Sequence, residues 1–308
     1  MALNPEVIAL IIVTIIGAAT PLLLAALGEL IAEKSGVLNL GLEGMMIMGA
    51  VIAFMTVHNT GSATLGIVAG ILAGMGMALI FAFLTLSLQS NQVATGLALT
   101  IFGLGLSALL GREYVGIAYS GLPKLDLPVL SELPFFGKVL FSHDILIYFS
   151  LFMVFATFYF LNRTRSGLIL RAVGESHDAA HSIGYPVIAI RYMAVLYGGA
   201  MSGLAGAYLS LSYSPMWADN MTAGRGWIAL ALVVFAMWMP SRVLLGAYMF
   251  GGITILQLHG QGMGIAIPSE FFSMLPYLAT IIVLVIISRQ SSASLAPASL
   301  GKPFHPTH

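Results

Sequence analysis

Cysteine is missing from all 308 residues, which excludes disulfides, thiolate catalysis and sulfur-ligated metals and leaves the redox compartment open. Charge is nearly missing too: Asp, Glu, Lys and Arg make up 8% of the chain, where soluble domains carry about 25%. A water-facing surface cannot be built from so few charges. The 12 basic and 12 acidic residues balance, so there is no polycationic face, and nucleic acid is not an expected partner. The start, Met1-Ala2-Leu3-Asn4-Pro5-Glu6, has no basic stretch ahead of the first apolar run and no small-residue cleavage site before Glu29. The first apolar segment is therefore expected to be a retained helix.

Familiar catalytic patterns are absent as well. The phosphate-cradling pattern GxxxxGK[ST] does not occur, because the Gly-Lys pairs Gly137-Lys138 and Gly301-Lys302 are followed by neither Ser nor Thr. Any ATP-driven work must then use another chain. His177 and His181 have the i, i+4 spacing that puts two imidazoles on one helix face, but the HExxH glutamate and a third ligand are missing. A solvated loop is the preferred reading there, and no metal or cofactor is expected. No Ser, His and acid set carries a nucleophile motif, so no catalytic residue is assigned and an intramembrane enzyme is disfavoured.

What remains is apolar sequence, at 59% of the residues. Crossing about 30 Å of hydrocarbon takes about 20 residues of helix. Nine runs approach that length: Val7 to Leu27, Val37 to Val57, Ala63 to Leu88, Val93 to Leu110, Ile145 to Leu161, Tyr192 to Tyr213, Gly226 to Met239, Val243 to Leu258 and Phe271 to Ile287. The third has room for a break and the seventh is short for a full crossing. The fold expected is all-α, a polytopic membrane bundle of about eight to ten helices in a single domain over residues 1–308. Residues 112–144 form the longest gap, and Pro123, Lys124, Asp126, Pro128, Glu132, Pro134 and Lys138 mark it as an extramembrane loop.

Basic residues are retained on the cytoplasmic side. With the amino terminus outside, Lys34, Arg163, Arg165, Arg171, Arg191, Arg242, Arg289 and Lys302 fall inside and Arg112, Lys124, Lys138 and Arg225 outside. This orientation puts the loop 162–191 and the tail 288–308 in the cytoplasm. It also puts Trp217 and Trp227 near outer segment ends and Trp238 near an inner one, the headgroup level where amphipathic rings collect. Gly66, Gly70 and Gly74 recur at every fourth position, as do Gly199 and Gly203, and offer small faces for close helix contact.

Polar residues inside apolar runs are the functional candidates. Glu29, Glu33 and Lys34 are expected to stay at the membrane surface. Asn39 and Glu43 read as one helical turn apart within the second run, flanked by Gly41 and Gly44. A carboxylate there costs about 2.5 to 3.5 kcal/mol on insertion scales, so it should face the bundle interior, a water-filled path or a partner. Glu43 fits two readings: a residue lining the solute path, or a group that staples two helices or caps a broken one. Asn91 and Gln92 belong to the uncharged cluster Gln89-Ser90-Asn91-Gln92, read as a loop or as part of an inner gate. In the loop 162–191, Ser176 can cap a short helix over His177 to Ser182, Gly184 can end it, and Pro186 prevents its continuation. Such a helix is a lever that a cytosolic partner can grip; the alternative is an ordinary connection.

Two motifs together carry a family resemblance. GELIAEKSGVLNLGLEGMMIMGA, Gly28 to Ala50, resembles the signature of permease subunits of ATP-binding-cassette importers in the branch handling nucleosides and simple sugars. RAVGESHDAAHSIGYPVIAIRYMAVLYGGAMSGLAGAYLSL, Arg171 to Leu211, resembles that family's cytoplasmic coupling loop and following helix, and NQVATGLAL, Asn91 to Leu99, agrees with a third segment. The resemblance implies a multi-pass protein of the bacterial inner membrane, paired as half of a pore with a second, homologous permease, usually a longer one. It further implies two cytosolic ATPase subunits, an external solute-binding lipoprotein, and docking of Glu175 to Gly184, with Ala179 and Ala180, on the ATPase. His177 and His181 depart from the residues common at those positions. The competing reading is an ion-coupled secondary transporter or channel for a small polar solute, with Glu43 as its coupling or gating group.

Overall fold

The structure, a computed structural model, describes residues 5–126, 135–262, 271, 274–275, 278, 281–282, 285 and 296–305. The expected span Phe271 to Ile287 and the charged residue Arg289 lie largely or wholly outside these. Among the described residues seven helices are long and apolar enough to cross a membrane, and an eighth apolar helix is short. The protein is an all-α, multi-pass helical bundle.

The first helix, α1 (Pro5–Lys34), runs for 30 residues, past the end of its apolar run at Leu27 and through Glu29 and Glu33. It stops at Gly36, whose φ of +91° is open to glycine at little cost. The Gly36 amide donates to the Glu33 carbonyl and the Val37 amide to the Ala32 carbonyl, the paired bonds that close a helix C-terminus. The chain stays non-helical and largely buried, with Leu38 and Leu40 half-buried, until α2 (Leu42–Thr60) begins. The second run is thus not helical from Val37, and Asn39 does not share a helix with Glu43. Then follow α3 (Ala63–Ala82), which continues without a break through a wider turn to Ser87, and α4 (Gln92–Gly111).

The loop 112–144 contains more order than its prolines suggest. Strand β1 (Lys124–Asp126) pairs antiparallel with β2 (Ser142–Asp144), and α5 (Phe136–Phe141) lies between them in sequence. Asp144 then accepts the amides of Leu146 and Ile147 to cap α6 (Ile145–Arg163). Two short helices follow, α7 (Arg165–Glu175) and α8 (His177–Ser182), then α9 (Val187–Tyr208), α10 (Arg225–Phe235) and α11 (Pro240–Gly262).

Helix α9 is the axis of the bundle, and glycine is the reason. A methyl group on Gly74 of α3 would collide with the Gly199 carbonyl and come within 2.7 Å of Gly203 Cα; one on Gly203 would strike the Gly70 carbonyl. On another side of α9, a Cβ on Gly206 would strike the Met46 carbonyl and lie 2.8 Å from the Ala50 amide. On a third, Gly28 of α1 meets Met201 Cβ at 2.6 Å from where its own Cβ would be. Lipid gives no hydrophobic drive for helices to associate, so backbone-to-backbone approach of this kind supplies the dispersion contact instead. The small faces read from sequence are real interfaces.

Of the three tryptophans expected at the headgroup level, Trp217 and Trp238 are buried within the protein and Trp227 is half-buried. Trp217 is fully buried, with Gly111 making room for its indole, and Trp238 donates Nε1–H to Glu33 while Lys34 sits 6.0 Å over its ring. Both rings serve protein packing, because the chain folds back over them.

Replacing Gly74 with Leu should destabilise the bundle by more than the ~1–3 kcal/mol of ordinary overpacking, since backbone cannot move aside as a side chain can. Gly76 on the same helix has nothing within 4 Å of a Cβ, so Gly76→Leu is the matched control. Thermal unfolding of the two detergent-purified variants checks this: the first is expected to melt well below wild type and the second within error of it.

Candidate functional site

Two breaks in the helical bundle define the site, and each is satisfied by side chains named from sequence. The first is the buried segment Ser35 to Gly41. Inside protein at membrane depth, non-helical backbone needs partners that lipid cannot offer. Gln92 Oε1 accepts from the Leu38 amide at 2.8 Å, Glu29 Oε1 from the Asn39 amide at 3.1 Å, and Asn39 Oδ1 from the Gly41 amide at 2.9 Å. Thr100 donates its hydroxyl to the Leu40 carbonyl at 3.0 Å. Gly96 lets α4 lie against this segment, since a Cβ there would sit 2.8 Å from the Leu40 amide nitrogen.

The second break is the turn between α9 and α10, residues 214–224. Glu43 closes it. Its carboxylate accepts the Thr222 hydroxyl at 2.5 Å, the Gly224 amide at 2.9 Å and the Gly226 amide at 2.6 Å. Gly224 and Gly226 bracket the start of α10, so Glu43 takes up backbone donors that the helix itself cannot pair. It also lies in the first turn of α2. One buried negative charge therefore sits at two helix N-termini, where both macrodipoles favour it. Gly226 is needed for the approach, because a Cβ there would lie 2.6 Å from Glu43 Cα. The geometry is that of a cap on a broken helix.

Asn39 and Gln92 thus meet on one segment, while Glu43 holds a different one. Asn91 is exposed and caps α4 by accepting the Ala94 amide at 3.0 Å. Glu29 and Glu33 are not at the surface as expected: both are fully buried, because the segment after α1 and the turn after α10 fold over them. Their positions at the end of an apolar run resembled those of solvated flanking charges, and no local signal separates the two cases.

The cytoplasm-assigned end of the bundle follows the sequence closely in one respect. Ser176 caps α8 by accepting the Ala179 amide at 3.3 Å, and the Gly184 amide donates to the His181 carbonyl and the Tyr185 amide to the Ala180 carbonyl. Gly184 has φ +91° and open space around it. Glu175, Asp178, Ala179, Ile183 and Gly184 are exposed, and Ile183 is 72% exposed. Ala180 is the exception in the proposed docking set: it is buried against Val173, Val187 and Phe304, so its role is packing.

Sequence reasoning missed Arg191. It is fully buried and donates Nε–H to the Ser35 carbonyl at 3.2 Å, Nη1–H to the Lys302 carbonyl at 3.2 Å and Nη2–H to His177 Nδ1 at 3.1 Å. A guanidinium cannot accept, so His177 Nδ1 must carry no proton. Burial, then the nearby Arg191, pushes the His177 pKa below its ordinary value of 6.5, with Asp178 opposing and Lys302 adding to the depression. The i, i+4 histidines do not stand apart as a pair: each ring packs edge-on against Phe304, with centroids 5.3 Å away.

The profile of the family described as branched-chain amino acid transport system / permease component matches residues 11–284. A putative glucose ABC transporter permease protein of Haloferax volcanii is 43% identical over 94% of this chain and 95% of its own. A nucleoside ABC transporter permease protein of Lactococcus lactis is 33% identical over 90% of this chain and 92% of its own, and a guanosine ABC transporter permease protein of Bacillus subtilis 31% identical over 97% of each.

Two outcomes follow from this geometry. Glu43→Ala strands three donors, each bond to a charged acceptor being worth about 1.5–3 kcal/mol, whereas Thr222→Ala removes one. Thermal stability should fall in the order wild type, Thr222→Ala, Glu43→Gln, Glu43→Ala, with the glutamine variant turning an amide NH₂ toward backbone donors. For His177, the neutral form favoured on folding contributes stability that is complete above pH 6.5 and is lost as pH falls from there through the lower folded value. Hydrogen-exchange protection factors of residues 171–191, taken against the intrinsic rate at each pH, should therefore fall on acidification, and His177→Gln, which keeps an acceptor that does not titrate, should flatten that dependence.

Proposed function

The chain belongs to the branched-chain amino acid transport system / permease component family and is a multi-pass permease subunit of an ATP-binding-cassette importer; from this we propose that it forms half of a translocation pore whose ATPase grips α8. Its role is transport, and no ATP-binding loop occurs in its sequence. Hydrolysis then falls to separate cytosolic ATPase subunits, with a second, homologous permease completing the pore and an external lipoprotein delivering solute.

The observation that carries the docking assignment is the shape of the segment Glu175 to Gly184. It is a capped helix, closed at both ends, that presents Glu175, Asp178, Ala179 and Ile183 outward on an otherwise apolar protein. A large aliphatic side chain so exposed beside charged residues suits insertion into a groove on a cytosolic partner. Inner-face placement of α8 rests on the distribution of Lys and Arg, and Lys34, Arg171, Arg191 and Lys302 do gather near it. Asn39, Glu43 and Gln92 act on this reading by holding the two broken segments at fixed depth, so that a push on α8 reaches the path through rigid elements.

The solute proposed is a small hydroxyl-bearing ring, a nucleoside or a simple sugar. The named specificities of the relatives divide between glucose and nucleosides, and both solutes share a polyhydroxylated ring. The ion-coupled alternative has less support, because the charge of Glu43 is consumed by three hydrogen bonds within the protein.

Gly184→Pro tests the docking. Proline fixes φ near about −65°, incompatible with the +91° found here, so the end of α8 must rearrange. In proteoliposomes holding the full transporter, hydrolysis is expected to become uncoupled from uptake while the protein remains inserted. Unchanged uptake would refute the docking role, and proton-driven uptake by this chain alone would overturn the importer assignment. Competition of labelled uptake by glucose and by guanosine assigns the solute.

A further inference from the structure

Residues 296–305 pass beneath α8 and stitch it to the rest of the bundle. The Ser299 amide donates to the Gly174 carbonyl at 2.9 Å, its hydroxyl donates to the Glu175 carbonyl at 3.4 Å, and that hydroxyl accepts the His177 amide at 3.4 Å. The Gly301 amide donates to the Gly36 carbonyl at 3.1 Å. One strap thus binds the end of α7, the start of α8 and the turn that closes α1. Arg191 adds a second tie, reaching Ser35, Lys302 and His177 from a single guanidinium.

Phe304 finishes the arrangement. It is 7% exposed, and it fills the space under α8 between the rings of His177 and His181, against Val173, Ala180 and Val187. Its carbonyl accepts from Gln89 Nε2 at 3.2 Å, three residues before the Gln92 that holds the buried segment after α1. Helix α8 has only 6 residues, too few to hold a fixed orientation by its own hydrogen bonds. Within the helix only Ala180 is buried, while His177 is half-buried and His181 exposed, so it has almost no apolar area of its own to bury. The aromatic ring from the strap supplies that area.

We propose that Phe304 is a positioning residue for energy coupling: the carboxy-terminal strap holds α8 as one rigid piece with α1, α7 and α9, so that force applied by the ATPase moves the membrane helices instead of tilting α8 alone. This inference rests on the docking of α8 proposed above. It assigns the strap a function that its small, polar and proline-containing sequence does not display.

The test uses the complete transporter in proteoliposomes, with uptake and hydrolysis measured on the same preparation and normalised to assembled complex. Phe304→Ala is expected to lower solute moved per ATP hydrolysed by about fivefold or more, the lower end of coupling free energies between sites. Phe304→Tyr keeps the ring and should restore the ratio, which a loss of assembly alone would leave unmoved. Because the chain has no cysteine, Asp178→Cys carrying a photo-crosslinker reports docking separately. A cross-link to the ATPase together with an unchanged transport ratio in Phe304→Ala overturns the strap proposal and leaves docking standing. Failure of that cross-link in the assembled complex overturns both.

Discussion

Backbone amides that end inside a membrane protein must be given partners by the protein itself, and the rest of this structure depends on how Glu43 does so for α10. Its carboxylate collects Thr222, Gly224 and Gly226 and ties the first turn of α2 to the start of α10. Without those acceptors α10 would begin with unpaired donors at a buried position. With them, a helix of 11 residues can start within the bundle. Its far end is then brought to α1, where Trp238 donates to Glu33. One carboxylate thus sets where the break between α9 and α10 lies.

The breaks are compatible with a rigid bundle because the remainder is packed through backbone. Helix α9 touches α2 and α3 at positions where a methyl group would collide with a carbonyl or Cα, and α1 where it would collide with Met201 Cβ. Such seams have few soft side chains to absorb displacement. A movement imposed at one end of α9 is therefore carried along it, which suits a permease that changes access by shifting whole helices. The cytoplasm-assigned end shows the same economy: Arg191 on α9 bonds the turn after α1, the strap and α8 together.

Buried polar groups divide into two kinds here. Asn39, Gln92, Glu43 and Arg191 each replace a partner that irregular backbone would otherwise have lacked, and their burial follows from the irregularity they repair. Glu29 and Glu33 each engage one oxygen, and the second oxygen of each, Oε2 and Oε1 respectively, has no hydrogen-bond partner among the described residues. Both lie on the last two turns of α1, beneath the segment that Asn39 stabilises.

From sequence alone the composition determined a membrane bundle, since 8% charge cannot solvate a surface. Local chemistry determined α8 to the residue, because Ser176, Gly184 and Pro186 act within one turn of where they stand. The glycine spacing marked the α3–α9 seam for the same reason: small size needs only a neighbour. Tertiary structure decided the rest. Whether Val37 to Gly41 continues a helix depended on Gln92 and Glu29 offering partners from 54 and 10 residues away, and the role of Glu43 on donors 179 to 183 residues distant. Trp217, read at the headgroup level, and Glu33, read at the membrane surface, are buried because distant segments cover them. Phe304 gained its place only because Arg191 and Ser299 bring the strap beneath α8, a long-range closure that no local pattern encodes.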